Sequence, residues 1–151
     1  MESTLQQAIF QTLSEVFETM YFTFLEPLVE MPGEENPVAT EGYIEADISF
    51  QGERTGRVRF YFPPALARNI TVNFLGVEEM DVNEAQVLDT VKETANMAVG
   101  SLLGRLDPGG GIRLGLPQSK VTALPLDALR GEPNLFVFNT EHGLLWLVYE
   151  E

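Results

Sequence analysis

The sequence predicts an α+β domain with a mainly antiparallel sheet, and three observations carry that reading. Two long segments repeat apolar residues at three- and four-residue steps, the period of a helix with one dry face. Several shorter segments alternate apolar and polar residues, or run apolar between turn residues, as strands do. The order is helix, hairpin, two helices and then several strands, whereas a parallel sheet would need strands and helices in alternation.

Leu5, Ile9, Leu13, Val16, Phe17 and Met20 form the dry face of a first helix from Ser3 to about Phe24. Ser3 and Gln6 read as a capping box that starts it near Thr4, and Pro27 helps to stop it. Residues 30–42 are polar, acidic and twice interrupted by proline, so they form a surface loop. Over residues 43–51, Ile44, Ala46, Ile48 and Phe50 alternate with Glu45, Asp47 and Ser49. After a turn at Gly52 to Gly56, Val58, Phe60 and Phe62 repeat the pattern, with Arg57 and Arg59 facing out toward Glu45 and Asp47. Pro63-Pro64 ends this hairpin and opens a short helix to Leu75, with Gly76 as its stop.

A long helix is expected from about Val82 to Leu103, capped by Asp81 or Asn83. Asp107-Pro108-Gly109-Gly110-Gly111 breaks the chain. Ile112 to Leu116 and Val121 to Leu124 read as short strands, and Leu135 to Phe138 with Leu144 to Tyr149 as a closing hairpin. The last run, Leu144 to Tyr149, is apolar at both parities. Such a strand is either buried on both faces in the middle of a sheet or paired across a subunit interface. The interface reading is preferred here, with the central one, between the first and long helices, as the alternative.

Composition narrows the function. The chain has 151 residues, 44% hydrophobic and 21% charged, which fits a single globular domain over residues 1–151. A net charge of −14 argues against nucleic-acid partners, since phosphate binding needs a positive footprint. There is no cysteine and one histidine, His142, so thiolate chemistry and His-based metal sites are excluded. His142 itself reads as a solvated turn residue. No segment reaches the apolar length of a membrane span, and Met1-Glu2-Ser3-Thr4 is acidic where a secretory signal would be basic, so no membrane insertion and a cytoplasmic location are expected. No phosphate loop, dinucleotide fingerprint, nucleophile elbow or zinc helix occurs, and the Gly109–Gly111 run lacks the helix and lysine a phosphate cradle requires.

The long helix is the informative element. At about 100° per residue, Val87, Val91, Thr94, Ala95, Ala98, Val99 and Leu102 form its core side. Asp89, Glu93, Asn96, Gly100 and Gly104 fall in an opposite sector about 80° wide. Acidic residues on such a face are usually only solvated. Two interior glycines in line are harder to account for, because each costs about 0.8–1.0 kcal/mol relative to alanine. Close approach of another backbone would explain them.

Asp89-x3-Glu93-x2-Asn96, followed by Pro117, resembles the signature of the CheC/CheX/FliY phosphatases of bacterial chemotaxis, which dephosphorylate the response regulator CheY. The surrounding ETANMAVGSLLGRL, the later LGLPQSKV and VFETMYF in the first helix are similar to CheX in particular. The CheC arrangement carries two such helices, and this chain has one Glu-Asn pair. The resemblance implies a CheC/CheX-like fold and a phosphorylated CheY-like response regulator as substrate and partner. It implies Asn96 as the residue that orients the attacking water and Glu93 as the ion-pair partner of the receiver's active-site lysine. Asp89 and Gly100 would contact the partner. Mg²⁺ would belong to the regulator, with no cofactor or metal site on this chain. A homodimer joined by a sheet continuous across the interface is implied too. An aspartyl phosphate is an activated acyl phosphate, so a water in line with phosphorus is most of what a phosphatase must add. A docking module of the same fold, bound to a receiver or flagellar-switch-type partner without turnover, is the alternative. A purely structural dimerisation domain is the third reading.

Overall fold

The computed structural model describes residues 4–28 and 39–151. Helix α1 (Thr4–Tyr21) is followed by the two-residue strand β1 (Glu26–Pro27) and the hairpin β2 (Tyr43–Gly52) and β3 (Gly56–Phe62). Helix α2 (Pro64–Leu75), a 3₁₀ turn (Glu79–Asp81) and the long helix α3 (Glu84–Leu106) come next. Strands β4 (Ile112–Leu114) and β5 (Gln118–Thr122), helix α4 (Leu126–Arg130), and strands β6 (Leu135–Thr140) and β7 (Gly143–Glu150) complete the order.

All strand pairs are antiparallel, in the order β1-β6-β7-β3-β2-β4, with β5 also on the outer side of β2. The β2–β3 register sets Ile44 opposite Phe62, Ala46 opposite Phe60 and Ile48 opposite Val58, so the alternating apolar set all points to one face. That face packs on α1, α2 and α3 through Leu13, Phe17, Leu66, Ile70, Val91 and Val99. Phe17 stacks on Phe62 at 6.2 Å. Arg57 pairs with Asp47 as its cross-strand position requires, its Nε donating to Oδ1 at 2.8 Å. Arg59 reaches Glu132 and Glu150, and not Glu45.

Strand β7 corrects the preferred placement of the terminal strand. It lies between β3 and β6, hydrogen-bonded on both edges, so it has no free edge for a second subunit. Its two apolar faces have two different covers. Leu145, Leu147 and Tyr149 belong to the helix-side core, while Trp146 and Val148 pack with Tyr43, Tyr61, Leu124 and Leu129 of α4. A lysine at Leu147, which is 1% exposed, is therefore expected to unfold the protein and not to dissociate a dimer.

Local chemistry sets the ends of the helices. Asn83, and not Asp81, caps α3: its side chain accepts from the Gln86 N–H and its own N–H donates to Gln86 Oε1, both at 2.9 Å. Gly76 closes α2 in the left-handed region at φ 67°. Helix α1 stops at Tyr21, three residues short of Phe24, because Phe22 turns to φ 52° and the Asn73 side chain donates to the Tyr21 carbonyl at 2.7 Å. The proposed Ser3 cap and most of the 30–42 loop lie outside the described residues.

All four tyrosines hold their protons more tightly in the fold, chiefly because burial disfavours the phenolate, and Tyr149, which also lies beside Glu151, is pushed up to about 12. The folded state then binds more protons than the unfolded chain above the ordinary tyrosine value of 10. Stability is accordingly expected to be intact below that value and to fall as pH rises toward about 12. Urea midpoints measured at stepped alkaline pH check this, and a midpoint that stays level through the range contradicts it.

Candidate functional site

Helix α3 crosses the sheet with its apolar stripe inward: Val87, Val91, Ala95, Ala98, Val99 and Leu102 are all buried. That burial turns the opposite stripe outward. Asp89, Glu93, Gly100 and Gly104 are exposed and Asn96 is half-buried, all on one face as the periodicity requires. Glu93 and Asn96 lie one turn apart. Among the described residues, no hydrogen bond or ion pair engages the Glu93 carboxylate or the Asn96 carboxamide. Asp89 differs, since Lys92 Nζ lies 3.4 Å from its Oδ1 across one helical turn, with most of the Asp89 side chain in solvent.

The helix is pinned beneath this face from three sides. Tyr21 of α1 meets Thr94 of α3 hydroxyl to hydroxyl at 2.5 Å, in the buried layer under Glu93. Thr94 Oγ1 also lies 2.8 Å from the Thr90 carbonyl, its acceptor one turn back. The Tyr21 hydroxyl is raised first by burial, and the nearby Glu93 charge adds to the shift. On the sheet side, Ser119 Oγ donates to the Leu88 carbonyl at 2.9 Å. At the far end, Arg105 reaches Glu15 at 2.5 Å and Gln11 at 3.2 Å on α1. These contacts hold the stripe on a rigid element, as precise positioning demands. Tyr21 and Thr94 are 73 residues apart; the sequence placed Thr94 only on the core stripe and did not single out Tyr21, so no local signal marked them as a support.

Pro117 lies in the link between β4 and β5, where the chain steps along β2 from pairing with Phe50 to pairing with Asp47. The Ser119–Leu88 hydrogen bond on one side and the approach of Leu114 to Gly100 on the other bracket this link beside the exposed face of α3.

The glycines have room around them. A Cβ on Gly104 would meet nothing within 4 Å, and one on Gly100 would make an ordinary 3.6 Å contact with Leu114. No packing among the described residues requires either glycine. Gly100→Ala and Gly104→Ala are expected to stabilise the free protein by about 0.8–1.0 kcal/mol each while weakening partner binding. Denaturant midpoints and a binding titration on the same variants check both halves, and unchanged binding would leave the glycines without a docking role.

Concavity on this face is slight. A shallow cleft of about 340 Å³ lies at its N-terminal end, lined by Phe74, Leu75, Gln86, Asp89, Thr90 and Glu93. A larger depression of about 410 Å³ sits at the outer side of β2, where Arg57 and Asp47 satisfy each other. Among the described residues no group of three or more His, Asp or Glu side chains converges as a metal site would need, and no helix is long and apolar enough to cross a membrane.

Fold and face together define an α+β domain that carries an exposed helix ridge with a shallow cleft at one end. Residues 44–123, which contain all of α2 and α3, match the family model described as chemotaxis phosphatase CheX, and the chain belongs to that family. It is similar to CheX from Desulfovibrio desulfuricans, at 17% identity and a TM-score of 0.74 over 99% of this chain and 100% of that one. It is similar to CheX from Vibrio vulnificus, at 21% identity and a TM-score of 0.76 over 98% and 96% of the two chains. The CheX–CheY–BeF3–Mg²⁺ complex from Borrelia burgdorferi matches at 12% identity and a TM-score of 0.67 over 96% and 97%. At these identities the structures establish the shared α+β, antiparallel fold. The comparison with curated proteins gives no match.

Proposed function

We propose that this chain hydrolyses the aspartyl phosphate of a CheY-like receiver domain, with Asn96 orienting the attacking water and Glu93 paired to the receiver's active-site lysine. The observation that carries the reading is the pair itself. A carboxylate and a carboxamide stand one turn apart on an exposed, rigid helix face, and no described residue of the chain engages either. The shallow cleft beside Glu93 does not include Asn96, so the two groups share no enclosed pocket and the rest of the active site comes from the partner. The family supports a phosphatase, and the Borrelia relative is a CheX in complex with CheY.

The chemistry suits the residues. In hydrolysis the water oxygen bonds to phosphorus as the bond to the aspartyl oxygen breaks, leaving a carboxylate and inorganic phosphate. The Mg²⁺ that neutralises the phosphoryl group belongs to the substrate protein. Asn96 offers a carbonyl oxygen to accept a hydrogen bond from the water and an amide to donate one, and it stays neutral beside the phosphoryl oxygens. Glu93 holds the ridge in place through its ion pair with the lysine, and Asp89 and Gly100 complete the contact. The gain comes from positioning.

Phosphate release from a phosphorylated receiver, measured with and without this protein, tests the activity. Acceleration supports the reading, and binding without acceleration would make the chain a docking module. A homodimer forms part of the same proposal, and light scattering at micromolar concentration checks it. Because β7 is internal, its contact must lie elsewhere, and a monomer would refute it.

A further inference from the structure

Two exposed apolar side chains, Phe74 and Leu75, line the cleft at one end of the α3 ridge, and a third, Phe22, follows Tyr21, whose hydroxyl reaches α3. Phe22 is 79% exposed, and Phe74 and Leu75 are each 40% exposed. They sit where the C-terminal ends of α1 and α2 meet the middle of α3. Asn73 ties α2 to the Tyr21 carbonyl, the Tyr21 ring lies 6.3 Å from that of Phe74, and the Tyr21 hydroxyl meets Thr94, next to Glu93. The cleft of about 340 Å³ then joins Phe74 and Leu75 directly to Asp89 and Glu93.

Phe22 is anomalous on two counts. It is the one non-glycine among the described residues with positive φ, at 52°, a region that disfavours bulky side chains. Its ring is also left mostly exposed, so the strained backbone gains little packing among the described residues. A strained, exposed aromatic residue beside a functional face points to a role outside the fold.

We propose that Phe22, with Phe74 and Leu75, is the apolar half of the docking surface for the same receiver-type partner; this rests on the reading of Glu93 and Asn96 above. Charge complementarity selects the occupant. The cleft pairs apolar walls with the Glu93 carboxylate, which has no cation partner among the described residues, so it fits a protein element carrying a lysine within an apolar surround. A second copy of this chain fits less well, because each copy carries a net charge of −14 and the ledge it would meet is itself acidic at Asp89 and Glu93. A buried aromatic anchor beside an enclosed ion pair is the usual arrangement of an interface hot spot.

Phe22→Gly and Phe22→Asn test this, since both residues accept a left-handed φ. The melting temperature is expected to hold or rise. The Kd for a CheY-type receiver charged with BeF3⁻ and Mg²⁺ is expected to weaken by about tenfold, with the loss in KM and not in the rate at saturating receiver. Unchanged affinity in both variants, with Glu93→Ala still weakening the complex, would exclude the ledge and leave the phosphatase reading standing. Unchanged affinity in Glu93→Ala as well would remove Glu93 from the interface and overturn the ledge with it, while phosphate release decides the phosphatase reading separately. Conversion of a dimer to a monomer by either variant would assign the ledge to a second copy and overturn the proposal.

Discussion

Replacing Asn96 with alanine is expected to abolish accelerated dephosphorylation, by roughly 100-fold or more, while leaving binding to the phosphorylated receiver largely intact. Asn96 is half-buried on the ridge and hydrogen-bonded to none of the described residues, so the truncation removes no internal contact. The fold should therefore survive, and a matched melting temperature would verify it. The split between binding and rate follows from the role. A group that places a water interacts more strongly in the transition state than in the complex, so its loss appears in kcat. Single-turnover phosphate release at saturating receiver, beside a binding titration, separates the two. A parallel fall in binding and rate would make Asn96 a docking residue instead.

Glu93→Ala is expected to act on the complex first, weakening it by about 2–5 kcal/mol, much of that from the lysine left unpaired inside the interface. Its carboxylate is exposed in the free protein, so none of this energy is available to folding and the stability should change little. Glu93→Gln keeps the shape and loses the charge, and its affinity should lie nearer to alanine than to wild type. The salt dependence of binding should flatten in both variants, because the ion pair that salt screens has gone. Equal affinity in all three proteins would remove Glu93 from the interface. The carboxylate also lies near the buried Tyr21 hydroxyl, whose proton affinity its charge raises. Glu93→Gln should therefore ease the Tyr21 titration downward, a readout that needs no partner.

The two predictions depend on different parts of the molecule. Asn96 needs its angle on the helix, which the Tyr21–Thr94 contact and the Ser119–Leu88 bond maintain from opposite sides. Glu93 needs only to be exposed and uncompensated. Tyr21→Phe, which keeps the ring and drops the hydroxyl, should therefore affect turnover more than affinity.

Periodicity alone determined most of the elements, because helices and strands with one dry face write their period into the chain. The faces of β2, β3 and α3, and the gathering of Asp89, Glu93, Asn96, Gly100 and Gly104 on one stripe, were legible in this way. The candidate site could be proposed from the sequence because its groups are close together on one helix, and it was the family resemblance, not the period, that singled out Glu93 and Asn96. Where pattern was short, it failed. Two residues of β1 and five of α4 are too few to show a period, and their pairing depends on distant partners. Phe24 has the right character for α1, yet the helix ends at Tyr21 because α2, 52 residues on, captures the Tyr21 carbonyl. The terminal strand shows the limit most plainly. Apolarity on both faces says only that each must be covered, and it is equally consistent with a second subunit. That α4 covers one face of β7 and the helices the other, with β3 and β6 on its two edges, is a matter of long-range pairing, which only the tertiary structure decides.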